Sequence, residues 1–468
     1  MMERLQELVW GPWMLAAFLG IGVYLTVRSG LFQLRRFPLW WKATGGSLWN
    51  GTNRNQTAET GGITTFQTAC TALAATIGTG NIVGVATALT AGGPGAIFWM
   101  WVSAAIGMMT AYGETYLGVR YRRREGKMWV SGPMVYLEDR LHLPALGLLY
   151  SFLCMMSSLG MGSMVQANSV SETAAYSFSV PPFLSAVAVT VLVGLVVSGG
   201  TKRIAAVSGK LMPAASGIYI LFSLMVIFSC FDRLPQVFAA IWRSAFEPAA
   251  AAGGAAGYLV SRSVRYGVSR GVFSNEAGLG TLAILHGAAD EEESGAGVEP
   301  RKRPPAVSLA QKQGMWAMFE VFFDTIVICT LTALVILLVT AEYGGGGYDG
   351  AALTAYCFSR RLGAAGEYLV SASMIVFAFA TMVAWSYMGK QAFLYLFSRT
   401  PFSGRAGERI YLILYLNAIF LGCLARLETV WQLSDIWNGL MALPNLAALY
   451  LLRREVAASI PEKFKTIP

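Results

Sequence analysis

Two short stretches of the chain mix glycine with small polar residues, a mixture suited to binding a small charged ligand. The first, Ile77–Gly84, reads IGTGNIVG, and the second, Gly271–Thr281, reads GVFSNEAGLGT. Glycine weakens a helix and permits unusual backbone angles, so each stretch predicts a break that frees backbone N–H and C=O groups. Exposed carbonyl and hydroxyl oxygens suit a hard cation, and half-helix N-termini attract a carboxylate. The two stretches therefore predict a site for an ion and the polar end of a small ligand.

The rest of the chain is strongly apolar. Hydrophobic residues make up 55% of the 468 residues and charged residues only 13%, about half the roughly 25% of a soluble domain. This composition has too few charges to cover soluble surfaces, so it argues against a soluble enzyme, a nucleic-acid binder and a disordered scaffold.

The second glycine-rich stretch contains a carboxylate, Glu276. Placing Glu276 near the centre of a membrane helix would cost roughly 2.5–3.5 kcal/mol, so we expect this carboxylate to face a cavity, a partner or an ion.

Eleven segments have the length and apolarity of membrane spans, which need about 20 residues each. The N-terminal span covers residues 10–27, and Arg28 rather than a small-residue cleavage site follows it, so we do not expect a cleaved signal peptide. The other ten are called core helices 1 to 10 in chain order. They cover residues 64–91, 95–119, 145–170, 182–198, 211–230, 262–286, 315–341, 367–389, 409–425 and 430–452.

Lysine and arginine are distributed unevenly between alternate loops. With eleven spans, one side of the membrane collects 26 of the 35 basic residues and the other side 6, while three lie at the entry to core helix 6. Cytoplasmic loops carry the excess of Lys and Arg, so we expect a multi-pass plasma-membrane protein with its N-terminus outside and its C-terminus in the cytoplasm. The net charge of +9 thus reports topology and not a nucleic-acid partner.

The two glycine-rich stretches fall in core helices 1 and 6, five spans apart. An odd number of spans per repeat inverts the second half, and inverted repeats with broken helices at corresponding positions are typical of secondary transporters. The predicted fold is an all-α polytopic membrane protein with about 11 transmembrane helices, a 5+5 inverted repeat and one extra N-terminal helix. The predicted units are an N-terminal helix with cytoplasmic linker, a first repeat, an extracellular connector, a second repeat and a cytoplasmic tail. They cover residues 1–60, 61–230, 231–261, 262–452 and 453–468.

Other polar residues inside the spans favour a pathway through the core. Glu320 and Asp324 are four residues apart and share a helix face, although a half-solvated position at a helix end would also explain them. The predicted buried polar residues outside the two breaks are Glu114, Asn168, Glu320 and Asp324. The six scattered cysteines and the unpaired His142 and His286 predict neither a metal centre nor a catalytic triad.

Several long motifs resemble the alanine/glycine:cation symporters, a family of amino acid transporters. They follow one another in order from about residue 10 to 452. The resemblance implies a leucine-transporter-like fold and Na⁺-coupled import of a small neutral amino acid such as alanine, glycine or serine. It implies Na⁺ as the coupling ion and no cofactor, with membrane lipids around the protein. The motifs are residues 66–101 (FQTACTALAATIGTGNIVGVATALTAGGPGAIFWMW), 131–138 (SGPMVYLE), 164–170 (MVQANSV), 271–280 (GVFSNEAGLG), 320–337 (EVFFDTIVICTLTALVIL) and 438–449 (NGLMALPNLAAL).

The resemblance also implies where the ligands bind. The backbone carbonyls of Ala74 and Ile77, with the side chain of Thr381, resemble the common sodium site of this fold. Several positions depart from the family pattern. Among them, Thr281 and Ala380 both stand where the family usually has serine, and the second serine would be a possible Na⁺ ligand. The implied substrate-binding residues are Thr79, Gly80, Asn81, Gln166, Phe273, Ser274, Asn275, Glu276 and Gly278.

Alternatives from other classes stay open at this stage. The same fold could couple to protons, select a different amino acid or serve as a non-transporting amino acid sensor. An ion channel would need an open pore, and a membrane-embedded enzyme would need a clustered acid, base or metal set. The acidic residues are scattered along the chain, so an enzyme is not expected.

Overall fold

Helices build nearly all of the structure, a computed structural model that describes residues 2–49, 63–125, 128–246, 255–290, 307–398, 400–425 and 427–460. Each predicted span coincides with a helix or with consecutive helical pieces. The N-terminal span is Pro12–Arg28, and a short helix, Met2–Val9, precedes it. Core helices 1 to 10 are Thr65–Thr76 with Val85–Gly92, Gly95–Arg120, Pro144–Leu159 with Gln166–Phe178, Pro182–Val197, Gly200–Phe228, Ala255–Asn275 with Thr281–His286, Leu309–Val321 with Thr330–Tyr343, Ala364–Leu396, Gly404–Leu424 and Leu427–Leu451.

The lengths of these helices make the chain a multi-pass membrane protein. Within the described residues, six continuous helices are long and apolar enough to cross a bilayer, and the bent pair of core helix 1 makes a seventh. Pro12–Arg28 and Pro182–Val197 are apolar but shorter, at 17 and 16 residues. The count of eleven spans and the inverted repeat therefore stay predictions.

The segments between the spans contain more regular structure than the sequence indicated. Core helix 5 begins at Gly200 and not near residue 211, so most of the expected loop 199–210 is helical. The expectation was wrong because a hydropathy criterion ends a helix at its first charges, whereas long basic side chains at a helix end reach back to water. The segments outside the predicted spans also contain an antiparallel hairpin, Arg123–Glu125 with Met128–Val130, and several further helices. These helices are Phe32–Arg35, Phe37–Ala43, Gly45–Trp49, Pro133–Asp139, Leu234–Phe246, Gly350–Leu362 and Arg453–Ser459. Residues 291–306, between core helices 6 and 7, lie outside the described residues.

Three π-helical turns interrupt the core helices. Gly80–Gly84 lies in core helix 1, Gly160–Val165 in core helix 3 and Phe322–Cys329 in core helix 7. A π-helix has a wider turn than an α-helix and often marks a functional site. The first contains Asn81, the second ends immediately before Gln166 and the third contains Asp324, so each one aims a polar side chain into the core.

Core helix 2 is the scaffold against which both halves of core helix 6 pack. The contact uses small residues: a Cβ placed on Gly107 would lie 3.2 Å from the Cβ of Ala277, and one on Gly118 would lie 2.7 Å from the Cβ and the carbonyl oxygen of Ala283. Small residues let membrane helices approach closely, where dispersion contacts replace the hydrophobic effect as the driving force.

We expect Gly118→Val to destabilise the protein by about 1–3 kcal/mol, because the new side chain would overlap the backbone of the inner half of core helix 6. The melting temperature in detergent should fall by several degrees. Gly217→Val is the matched control, since a Cβ at Gly217 meets no atom within 4 Å. Equal melting temperatures for the two variants would contradict this packing.

Candidate functional site

The break in core helix 1 is made by two side chains that take backbone N–H groups away from the helix. The amide N–H of Gly78 donates to Oδ1 of Asn81 at 2.9 Å, and the N–H of Thr79 donates to Oε1 of Gln166 at 3.3 Å. In a continuous helix these two groups would bond to the carbonyls four residues earlier, those of Ala74 and Ala75. The two halves of the helix meet at a bend of 50°.

The carbonyls released at this break lie against core helix 8. Thr381 Oγ1 is 2.9 Å from the carbonyl oxygen of Ala74, 3.4 Å from that of Ile77 and 3.0 Å from that of Phe377. The three predicted cation ligands are therefore together. Because one hydroxyl hydrogen cannot satisfy three carbonyls at once, the cluster has lone pairs to offer to a hard cation such as Na⁺. Ala380 is buried beside it and adds only a methyl group.

The break in core helix 6 is held by a carboxylate from core helix 2. Oε2 of Glu114 accepts the N–H groups of Gly278 at 3.1 Å and Gly280 at 3.0 Å. Both glycines have positive φ, +91° and +81°, which lets the chain turn into the half-helix Thr281–His286. The carboxyl group of Glu114 lies at the N-terminal end of that half-helix, where the helix dipole favours an acidic group. The expectation that this N-terminus is available to a ligand carboxylate is thus wrong for core helix 6, because Glu114 already bonds there.

Asn445 of core helix 10 completes the support of this break. Its Nδ2 donates to Oε2 of Glu114 at 2.7 Å and to the carbonyl oxygen of Gly278 at 2.8 Å. The hydroxyl of Tyr136 donates to Asn445 Oδ1 at 2.5 Å. Core helices 2, 6 and 10 are therefore joined by one buried hydrogen-bond network.

Asp324 joins the two breaks to each other. Its Oδ1 accepts from Nδ2 of Asn81 at 2.6 Å, and its Oδ2 accepts from Oγ of Ser274 at 2.8 Å. Thr325 Oγ1 donates to the same Oδ2 at 2.8 Å and accepts from Nδ2 of Asn275 at 3.0 Å. The carboxylate is completely buried, so hydrogen bonds from both breaks stabilise it in place of water.

The breaks also touch directly. A Cβ placed on Gly80 would lie 3.2 Å from Cα of Ser274, and one placed on Gly78 would lie 2.5 Å from Oγ1 of Thr381. Only glycine fits at these two positions without moving a neighbour. Most of the residues that the sequence predicted for the site are accordingly in contact or one hydrogen bond apart.

Two aromatic contacts flank this region. Phe273 is buried and stacks on Trp431 with ring centroids 5.3 Å apart. Glu276 has a φ of +57°, unusual for a residue with a side chain, and its Oε1 accepts from Nε1 of Trp385 at 2.9 Å. The strained backbone at Glu276 is thus tied to core helix 8.

Two of the predicted buried polar residues lie elsewhere. Asn168 donates to the carbonyl oxygens of Gly422 at 3.0 Å and Ala425 at 2.7 Å, so it satisfies the end of core helix 9. Glu320 lies 3.0 Å from Nε2 of His286 and does not contact the breaks. Both Glu320 and Asp324 are completely buried, so the half-solvated position considered for them is excluded.

A cavity of about 630 Å³, called the vestibule, opens beside the breaks. Arg270, three residues before Phe273, lies in its wall, and its guanidinium is 5.6 Å from the ring centroids of both Phe273 and Trp431. The guanidinium forms a two-point ion pair with Asp435 of core helix 10, at 3.3 and 3.4 Å. Gln6 of the N-terminal helix donates to the same carboxylate at 2.6 Å. Helices from both ends of the chain therefore meet at the floor of the vestibule.

Several residues that were not predicted from the sequence contribute to this arrangement. Each is polar or aromatic within an apolar span, and the rule that a buried polar group needs a partner would have singled out the two in core helix 10. These residues are Arg270, Thr325, Trp385, Asp435 and Asn445.

Two broken helices whose freed backbone groups face a shared interior are typical of secondary transporters. The profile of the Sodium:alanine symporter family matches residues 1–466. The chain therefore belongs to that family, whose activity is Na⁺-coupled amino acid symport, and it is a transporter and not an enzyme. This confirms the resemblance found in the motifs.

Individual proteins agree with this assignment. The chain is 38% identical over 460 residues to the sodium/alanine symporter AgcS of Methanococcus maripaludis, covering 97% of this chain and 94% of that one. It is also 38% identical over 474 residues to an uncharacterized transporter of Haemophilus influenzae, covering 100% and 96%. The structure of a Na⁺-coupled sialic acid symporter superposes with a TM-score of 0.53 at 13% identity, over 97% of this chain and 86% of that one, which shows a shared fold.

We expect Asp324→Asn to lower Na⁺-dependent alanine uptake at least about tenfold. The amide has one acceptor oxygen in place of two, so it cannot accept hydrogen bonds from both breaks. One buried donor is then left without a partner, which costs about 1–3 kcal/mol. Uptake of labelled alanine into liposomes measures the effect. Asp232→Asn is the control, since the Asp232 side chain is 80% exposed. Unimpaired uptake by Asp324→Asn would show that the two breaks do not need this carboxylate.

Proposed function

We propose that the chain imports a small neutral amino acid, namely alanine, glycine or serine, together with Na⁺ by alternating access. The observation that carries this proposal is the convergence of the two helix breaks on Asp324, next to the oxygen cluster around Thr381. Membership in the sodium:alanine symporter family and the name of the methanogen relative support the choice of substrate and ion.

In this proposal Na⁺ binds the carbonyl oxygens of Ala74 and Ile77 and the hydroxyl of Thr381. The carbonyls belong to core helix 1 and the hydroxyl to core helix 8, so the ion would link two helices that the Thr381 hydroxyl already joins. Ion binding would fix the break in the shape that receives substrate. The missing hydroxyl at Ala380 would leave the site with one oxygen ligand fewer than the family pattern implies.

The amino acid would bridge the two breaks. Its carboxylate would face the core helix 1 break, where the buried hydroxyl of Thr79 has no partner among the described residues, and its ammonium would face the core helix 6 break, where Oε2 of Glu276 has none. We assign to this pocket the same residues that the sequence analysis named. They are Thr79, Gly80, Asn81, Gln166, Phe273, Ser274, Asn275, Glu276 and Gly278.

Alternating access would use the two ends of this site. The vestibule end is bounded by the pair Arg270–Asp435. At the opposite end the N–H of Asp290 donates to the carbonyl oxygen of Ile63 at 3.2 Å, and the N–H of Ile63 donates back to Oδ2 of Asp290 at 3.0 Å. We assign the vestibule to the outside, the C-terminus to the cytoplasm and the repeats to residues 61–230 and 262–452, in agreement with the distribution of Lys and Arg.

The membrane potential makes such coupling effective. One Na⁺ charge that crosses about 100 mV supplies roughly 2.3 kcal/mol. At about 1.4 kcal/mol for each factor of ten, this supports roughly 40-fold accumulation of substrate before any Na⁺ gradient is counted.

We expect Thr381→Ala to raise the Na⁺ concentration for half-maximal alanine uptake about tenfold or more, since the only side-chain ligand is lost. Thr381→Ser keeps the hydroxyl and should stay near the wild type, and Ala380→Ser should lower the half-saturating Na⁺ concentration. Titration of Na⁺ in liposome uptake assays measures all three. Uptake driven by a proton gradient and insensitive to Na⁺ would instead favour the proton-coupled alternative.

Asn81 and Gln166 allow substrate and ion binding to be separated. Asn81 contacts both Gly78 N–H and Asp324, so Asn81→Ala should weaken Na⁺ and alanine binding together. Gln166→Ala should mainly raise the KM for alanine or change substrate preference. Counterflow of labelled alanine at two Na⁺ concentrations measures these effects, and unchanged transport in both variants would place the pocket elsewhere.

Selectivity should follow from the tight contact between the breaks. Glycine, alanine and serine should be transported and leucine excluded, because Gly80 and Ser274 approach closely and buried Phe273 and Trp385 flank them. A panel of labelled amino acids in wild-type liposomes tests this, and saturable leucine uptake of similar affinity would contradict it. Binding without counterflow would indicate a sensor, and currents above transporter turnover would indicate a channel.

A further inference from the structure

An apolar groove lies between the N-terminal span and core helix 10. Its volume is about 530 Å³. The groove exists because small residues on both helices, such as Gly20 and Ala447, leave a gap between them. The residues that form its two walls include Ala17, Gly20, Ile21, Leu443 and Ala447. Both helices are apolar, so the molecules that reach this groove in a bilayer are lipid acyl chains.

A cationic cleft of about 1340 Å³ adjoins the end of the groove. It is lined by Arg28, Arg35, Arg36 and Arg454, and no acidic residue lines it in the described part of the chain. All four arginine side chains are exposed, and none belongs to an ion pair among the described residues. Unlike Arg270, which has Asp435, these guanidinium groups converge without a counter-charge from the described protein.

Tyr24 connects the groove and the cleft, since it lines both. Beside it, the guanidinium of Arg453 lies 5.8 Å from the Tyr24 ring centroid and 4.2 Å from that of Tyr450. Tyrosine and arginine in this arrangement are typical of the boundary between the hydrocarbon and headgroup layers. Along the N-terminal span, Gly20 in the groove and Arg28 in the cleft are separated by about 12 Å of helix rise.

We propose that the groove and the cleft together bind one anionic phospholipid, with an acyl chain in the groove and the phosphate on the arginines. A basic pocket at the membrane boundary, continuous with an apolar groove, matches the two chemical halves of such a lipid. The excess of Lys and Arg in cytoplasmic loops explains why arginines lie at span ends, but it does not explain why four of them line one cleft at the end of a groove. The proposal is independent of which substrate is transported.

The groove in which we place the lipid is formed by two helices that also contact the candidate site. A Cβ on Gly278 would lie 2.7 Å from Cε1 of Phe18 and 3.3 Å from Leu446, so the two helices that form the groove both pack against the core helix 6 break. A lipid that fills the groove would hold these helices in place behind the break.

The test is native mass spectrometry of the full chain released from phosphatidylcholine vesicles with and without phosphatidylglycerol. We expect one phosphatidylglycerol to stay bound to the wild type, and Arg35→Gln/Arg36→Gln to lower its occupancy roughly tenfold or more, because two of the four cations are lost. Arg405→Gln/Arg409→Gln is the matched control, since it removes the same charge at two exposed arginines outside the cleft. Equal losses in both double variants would overturn the proposal by showing that bulk charge retains the lipid.

A second variant tests whether the acyl chain binds in the groove, without any change of charge. A Cβ at Gly20 meets no atom within 4 Å, so Gly20→Leu should fold normally and fill the groove. We expect it to lose phosphatidylglycerol while its melting temperature stays near the wild-type value. If Gly20→Leu retains the lipid, or if inorganic phosphate displaces it from the wild type as well as phosphatidylglycerol does, the cleft is a phosphate site and the lipid proposal fails.

Discussion

The structure depends on how it satisfies the backbone groups freed where two helices break inside a membrane protein. Lipid offers no hydrogen-bond partner, so every freed N–H and C=O must find one within the protein or on a ligand. At both breaks the N–H groups are bonded by side chains, those of Asn81 and Gln166 in one and those of Asn275 and Glu114 in the other. Since these side chains bond the freed N–H groups, the carbonyl oxygens at the breaks are the backbone groups that lack a helical donor. The carbonyl oxygens beside Thr381 are therefore available to bind a cation.

The buried carboxylates have separate tasks that follow from their partners. Glu114 holds the turn into the second half of core helix 6, whereas Asp324 links that helix to core helix 1. Glu320 pairs with His286, away from both breaks. Because Asp324 accepts hydrogen bonds from one side chain in each break, a displacement of either helix must change the contacts of the other. Through this shared acceptor, a conformational change in one break alters the hydrogen bonds of the other.

The N-terminal segment belongs to the working structure although it lies outside the ten core helices. Gln6 bonds Asp435, the partner of Arg270 at the vestibule, and Phe18 packs at Gly278 in the core helix 6 break. The same segment forms one wall of the groove that we assign to a phospholipid. The short first helix reaches the vestibule, and the N-terminal span reaches the break and the lipid-facing surface, so the packing of this segment affects all three.

Much of the fold and the position of the breaks could be predicted from the sequence, because both depend on local composition. Runs of apolar residues specify membrane helices, and glycines beside Asn, Ser and Glu specify where a helix cannot continue. The three π-helical turns could not be predicted, since each widened turn depends on which neighbour bonds the displaced groups. The partners of Asn168 and Glu320 could not be predicted either. Their residue types favoured a pathway through the core, but Asn168 bonds the end of core helix 9 and Glu320 bonds His286.

By itself the sequence determined a multi-pass helical transporter with two interrupted helices, since hydropathy and glycine act over a few residues at a time. The tertiary structure decided which partners those interruptions meet. Asn81 and Ser274 are 193 positions apart, and both bond Asp324 of a third helix. Likewise, only the fold brings Arg28 and Arg454 from the two ends of the chain into one cleft. Hydrogen bonds and convergent charges of this kind depend on positions in space, and no local pattern in the sequence encodes them.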